Sequence, residues 1–245
     1  MNKSESCQMT RNRFFLGMST LFLAVVLVGF SRSLYLRTYF DFPELPVHLY
    51  LHGAALTAWF TLAFIQPWLI NSRRTRLHRK LGAVGAAFAI SVVMTGLWTV
   101  ALRDAPIIDE SPTRGAGNIA SLLMFSTCVI LGILFRRKSA THKRLMLLAS
   151  IPILAPALDR VARIPLLNEF LGRILYWFPA PPEVAFAALS FLFLLLTVVA
   201  NDLVSERRVQ SGTLWGLFAI LIVAPAATYV FTASGAWVTF VHWVA

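Results

Sequence analysis

The sequence predicts an all-α polytopic membrane protein of about seven transmembrane helices, and three observations predict it. Hydrophobic residues make up 58% of the 245 and charged residues only 13%, with a mean hydropathy of +0.70. A soluble domain needs more polar surface than that to cover its core. Seven apolar runs approach or exceed the ~18 residues a helix needs to cross a bilayer. The basic residues, finally, gather in alternate connections between those runs.

The first run, "FFLGMSTLFLAVVLVGF" at 14–30, follows a polar tail over 1–13. No A-x-A-like cleavage site follows it, so it reads as a retained first span behind a cytoplasmic tail. The later runs are 47–70, 81–102, 117–135, 144–161, 184–200 and 213–232. Pro152 and Pro156 interrupt the fifth, which predicts a kinked helix, because neighbouring helices can satisfy the carbonyl that a proline frees. Between the fifth and sixth runs, Leu166, Leu167, Phe170, Leu171, Ile174, Leu175 and Phe178 recur at helical spacing, with Asn168, Glu169 and Arg173 opposite. That pattern predicts an amphipathic helix over 166–178 lying in the outer interface, with Tyr176 and Trp177 at headgroup level. The whole chain, 1–245, reads as one integral membrane domain with its core helices in 45–165.

Orientation follows from the positive charges. Counted with the N-terminus inside, fifteen of the 22 Lys and Arg fall on inner segments, chiefly at 73–80 and 136–144, whereas eight of the eleven acids fall outside. This predicts N-terminus inside and C-terminus outside, in a bacterial inner membrane. It also accounts for the net charge of +11 without nucleic acid, which would need the positives on one water-facing surface with a reading element. Cys7 and Cys128 stand too far apart along the topology to pair, and no zinc-type cluster of ligands exists.

Two borders repeat. "LHRKLG" (77–82) opens the third span and "THKRLM" (141–146) the fifth, each with a histidine, then two basic residues, then leucine. Positive residues at a helix N-terminus oppose its dipole, so something negative should compensate. Anionic lipid headgroups meeting Arg79, Lys80, Lys143 and Arg144 would do so, as would a phosphate or the carboxylates of a cofactor. His78 and His142 then either mark topology or belong to one site. The second span carries a polar stripe, His48, His52, Trp59 and Gln66, since steps of four and seven residues return to one helix face. That stripe is either interfacial with a helix-bonding glutamine, or a ligand face for haem, metal or quinone. Among carboxylates, Asp159 at the end of the fifth span draws attention, while Asn201 and Asp202 are placed at the end of the sixth. No lysine lies in the seventh span for a retinal Schiff base, and no Walker or Rossmann glycine pattern appears.

The stretch "HLYLHGAALTAWFTLAFIQPWLINSRRTRLHRKLG", with "HKRLMLLASIPILAPALDR" after it, resembles a group of uncharacterised bacterial multi-pass membrane proteins sharing an H…W…Q…HR-x-LG core and an HKR-[LM]-M segment. More loosely, it resembles the transmembrane di-haem cytochromes b that pass electrons from ascorbate or quinol. That resemblance implies b-type haem or quinone held by His52 with His78 or His142. The sequence departs from those proteins, which carry four ligands in matched pairs; here the only outer partner for His48 or His52 is His242. Two functions follow. One is a non-enzymatic transport, lipid-contacting or assembly-type protein whose basic cytoplasmic rim meets anionic lipid, with an oligomer or membrane-complex partner. The other is a redox protein binding haem or quinone through helices two, three and five.

Overall fold

The computed structural model describes residues 3–111, 113 and 115–244, with side chains from Arg13 onward. Among the described residues there is no strand. The first helix, α1 (Lys3–Gly29), is followed by α2 (Val47–Asn71), α3 (Thr75–Asp104) and α4 (Ala116–Leu134). The fifth span is α5 (Ser139–Ser150), a 3-10 turn at Pro152–Leu154 and α6 (Ala155–Ala162). After the short α7 (Pro165–Ile174) come α8 (Pro182–Glu206), then α9 (Ser211–Phe218), a π turn at Ala219–Val223 and α10 (Ala224–Ala233) as the last span, and α11 (Ala236–Val244). Six of these spans are long and apolar enough to cross a membrane, and the apolar part of α1, Arg13–Gly29, is a shorter seventh.

The prolines of the fifth span bend the hydrogen bonding without breaking the helix. Pro152 has no N–H for the carbonyl of Leu148. The N–H of Ile151 reaches that carbonyl instead at 3.3 Å, and Leu154 N–H reaches the carbonyl of Ile151 at 3.1 Å. The chain therefore tightens for one turn and continues. Before Pro225 of the last span the helix instead widens, into a π turn at Ala219–Val223.

Helix boundaries differ from the apolar runs where the polar chain has something to bond. α1 continues from the first span back to Lys3, so the predicted tail is largely helical. α3 starts at Thr75, which puts His78 in its first turn. α8 runs to Glu206, so Asn201 and Asp202 lie inside the helix, not at its end. α7 stops at Ile174, leaving Tyr176 and Trp177 exposed in the turns that follow. Its apolar face is split: Leu171 and Leu175 pack with Ala162 and Ala185, while Leu166 and Phe170 stay exposed.

The fifth span is the axis of the bundle. Two thirds of its apolar window is buried (67%), against 22–33% for the other five long spans. An interior helix can carry polar side chains that face partners, and this one buries Thr141, Arg144 and Ser150. The outer helices expose leucine, isoleucine and phenylalanine, as Leu192, Phe193 and Leu196 do on α8, because lipid tails are as apolar as these side chains. The main core joins Phe15, Phe22 and Val26 of α1 to Trp59 and Phe60 of α2, Phe125 and Cys128 of α4, and Leu148 to Leu158 of the fifth span. The first helix thus belongs to the core as fully as helices two to five.

Candidate functional site

At the basic end of the bundle, the middle of α1, the end of α2, the first half of α3, α5 and the end of α4 line a cavity of about 320 Å³. Gln66, Asn71, His78, Ser139, His142 and Lys143 line its rim; beneath them the wall is apolar, with Phe22, Leu62, Val129, Ile133, Met146 and Leu147. Trp59 and Ser150 lie deepest along their helices, and the indole N–H of Trp59 donates to Ser150 Oγ at 3.2 Å. Asn71 lies twelve residues beyond Trp59 and Ser139 eleven before Ser150, so rim and floor are about 16–18 Å apart at 1.5 Å per residue.

The twin borders meet here. The rings of His78 and His142 stand 6.4 Å apart, centre to centre, at 84° to one another. Each is oriented by a helix neighbour. His142 Nδ1 lies 2.8 Å from the carbonyl oxygen of Gly132; a carbonyl only accepts, so Nδ1 carries the proton and donates. α4 and α5 run close together here: a Cβ at Gly132 would fall 2.8 Å from Met146 Sδ and 3.6 Å from Leu145 Cβ. Gln66 spans to α3. With its amide turned so that nitrogen meets acceptors and oxygen meets the donor, it donates to Nδ1 of His78 and to the His78 carbonyl at 3.3 Å, and accepts from Gly82 N–H at 3.2 Å. His78 Nδ1 therefore accepts, and its proton sits on Nε2. The pair offers one N–H donor (His78 Nε2) and one lone-pair acceptor (His142 Nε2).

Gln66→Leu removes these interhelical bonds and should lower stability by about 0.5–1.5 kcal/mol, the range measured for hydrogen bonds between membrane helices. Unfolding of the purified protein in mixed micelles measures it. An unchanged midpoint would show that the amide does not hold α2 to α3.

The polar stripe of α2 does not act as one unit. Trp59 and Gln66 line the cavity, but His52 lies fourteen residues before Gln66, about 21 Å along the helix. His52 Nδ1 is 3.0 Å from Thr95 Oγ1. That hydroxyl spends its proton on the carbonyl of Ser91 at 2.6 Å, so the histidine donates. His48 packs its ring 5.7 Å from Trp98. Both histidines tie α2 to α3 at the far end, where His242 is engaged with Asp109 at 3.2 Å.

The basic residues also divide. Arg79 and Lys80 are exposed beside His78. Lys143 lines the cavity with its ammonium 4.6 Å over the Phe15 ring. Arg144, expected to meet headgroups, is instead fully buried. Its Nε donates to Asp202 Oδ1 at 2.7 Å, and Glu206 lies 3.8 Å from the guanidinium. Asp202 Oδ2 in turn accepts from Thr213 Oγ1 at 2.5 Å and from Gln210 N–H at 3.0 Å. A buried arginine needs a buried acid, and only three acids fall on inner segments, Glu5, Asp202 and Glu206; that count was the signal for Asp202. Asp159, the carboxylate singled out from sequence, holds Arg163 at 3.0 Å in an i,i+4 pair that extends to Glu183. The bond with Asp159 holds the Arg163 guanidinium above its ordinary pKa; the cluster staples the exposed far end.

The side chains do not fit the four-ligand haem pattern. Two axial ligands must flank the macrocycle from opposite sides, whereas His48 and His52 share one helix and His242 is committed to Asp109. Among the described residues no group of three or more His, Cys, Asp or Glu could hold a metal ion. No protein-family model, curated protein or solved structure matches the chain.

Proposed function

We propose that this multi-pass membrane protein is a non-enzymatic lipid-handling protein of the bacterial inner membrane. It holds an amphipathic molecule with its polar head at the basic, cytoplasmic end and its apolar body in the cavity. One observation carries this reading: the cavity of about 320 Å³ is polar and basic at its rim and apolar down to the Trp59–Ser150 bond. Ligand cavities begin at roughly this size and join apolar walls to a few placed polar groups in the same way.

A cavity-filling variant tests it. A Cβ at Gly82 would meet no atom within 4 Å, so a side chain can start there, and Gly82→Leu adds bulk on the cavity wall. We expect wild-type protein purified from membranes to carry a lipophile, seen by native mass spectrometry and solvent extraction. Gly82→Leu should carry at least tenfold less at unchanged thermal stability. Equal lipophile content in the two proteins would overturn the proposal.

The hydrogens on the two histidines favour a second reading, a quinone. Its carbonyl would accept from His78 Nε2–H, and the quinol hydroxyl would donate to His142 Nε2. A quinone mass in the same extract, absent from Gly82→Leu, would select that reading over a membrane lipid.

A further inference from the structure

We propose, building on the lipid-handling reading, that the cavity recognises its ligand by a hydroxyl group that donates to the backbone carbonyl of Ala63. The ligand is then a hydroxyl-bearing lipophile, an alkyl alcohol or a quinol, and the O–H is what the two share. Pro67 creates the acceptor. Proline has no N–H, so the carbonyl four residues earlier, that of Ala63, loses its helical donor, and the ring pushes that carbonyl off the helix axis. Pro67 lies inside α2, which stays α-helical from Val47 to Asn71.

Two other prolines show how a span can adjust to a missing N–H. Before Pro152 the chain tightens, and the N–H of Ile151 takes the Leu148 carbonyl at 3.3 Å. Before Pro225 the helix widens into the π turn at Ala219–Val223. At Pro67 α2 makes neither a 3-10 nor a π turn. Inside a membrane, a carbonyl freed in this way needs its donor from a neighbouring group or from the contents of a cavity.

The cavity lies where this carbonyl points. A helical carbonyl is directed along the axis toward the residues three and four places on, and Ala63, Gln66 and Pro67 all line the cavity. Because α2 ends at the rim with Asn71, the Ala63 carbonyl faces the polar end, within a turn of Gln66. The polar side chains around it are spent elsewhere. The Gln66 amide nitrogen donates to His78, the Trp59 N–H to Ser150, and Ser150 Oγ to the Met146 carbonyl at 3.4 Å. A carbonyl only accepts, so the ligand atom that meets it carries a hydrogen; an ether or ketone oxygen cannot serve. An ammonium would also donate, but between apolar walls it loses far more hydration than a hydroxyl does.

Binding to protein in phosphatidylcholine nanodiscs tests this, read by native mass spectrometry and corrected for partition into the bilayer. The probes are dodecanol with its methyl ether, decylhydroquinone (kept reduced) with its dimethyl ether, and dodecylamine. Wild type should bind the hydroxyl member of a pair about tenfold more tightly than its ether, and the tighter of dodecanol and decylhydroquinone names the source. Pro67→Val and Pro67→Ala restore the N–H, so the helix itself takes the Ala63 carbonyl. In both, the preference should shrink to about twofold or less. Their unfolding midpoints should stay level or rise, because proline is the least favourable residue in a helix interior. Gly82→Leu should abolish binding of every probe. Equal binding of alcohol and ether by wild type overturns the hydroxyl contact, as does a preference that survives in both Pro67 variants. Dodecylamine binding tightest overturns it in favour of a cation, and lower midpoints in both Pro67 variants overturn it by showing that the proline serves packing. The lipid-handling reading survives each of these as long as Gly82→Leu still loses the probes. If no probe separates wild type from Gly82→Leu, both the inference and the reading beneath it fail.

Discussion

Asp202→Ala should be the most damaging single substitution in this protein. It leaves the Arg144 guanidinium buried without its main counter-charge, which costs about 3–5 kcal/mol in comparable buried pairs. It also strips Thr213 Oγ1 and the Gln210 N–H of their acceptor, loosening α9 from α8. Glu206, 3.8 Å from the guanidinium and itself partly exposed, offsets only part of the loss. Most of the protein should fail to reach a folded state, seen as loss of the monodisperse peak in detergent and of protease resistance in membranes. Two companions give the result its meaning. Asp202→Asn keeps acceptors for Thr213 and Gln210 and should retain more folded protein than alanine. Arg144→Met with Asp202→Leu removes both charges and should recover most of the stability. If Asp202→Ala folds like wild type, the ion pair does not hold the bundle.

The second large effect is steric. Gly212 opens the last span against the start of the fifth, where an added Cβ would stand 2.7 Å from Thr141 Cα and 2.8 Å from its carbonyl oxygen. Both are backbone atoms and cannot rotate away, so Gly212→Ala must push α9 off α5. The expected cost is about 1–3 kcal/mol, visible as a lower unfolding midpoint. Ser211→Ala, one residue earlier, loses only a 3.4 Å hydroxyl contact with Thr141 and should stay within about 0.5 kcal/mol of wild type. Equal midpoints for the two variants would show that α5 and α9 are not packed this closely. The same displacement would move α5, and with it His142 and Lys143, so Gly212→Ala should also weaken ligand retention in the cavity.

Sequence alone determined the class, the order of the spans and their alternation, because a bilayer makes these local properties. Apolar length decides what crosses, and the basic residues decide which ends gather together. The structure agrees: Phe15, Asn71, His78, Ile133 and His142 line one cavity, as alternate crossing requires. Span ends were less legible, since hydropathy falls before hydrogen bonding stops; α8 carries Asp202 two residues beyond its apolar run, where Arg144 receives it. The candidate site was half visible. His78 and His142 stood out as a repeated pattern, and Gln66 as a polar residue in an apolar helix. That they meet while His48 and His52 stay apart depends on which helices are lateral neighbours and at what depth, and no periodicity records that. The same holds for Arg144. Read along the chain it is one more basic residue on a rim, and only the packing of the fifth span against α8 and α9, 58 residues away, turns it inward onto a carboxylate. Local solvent preference fixes crossings one at a time, whereas the cavity and the buried ion pair are properties of neighbouring helices taken together.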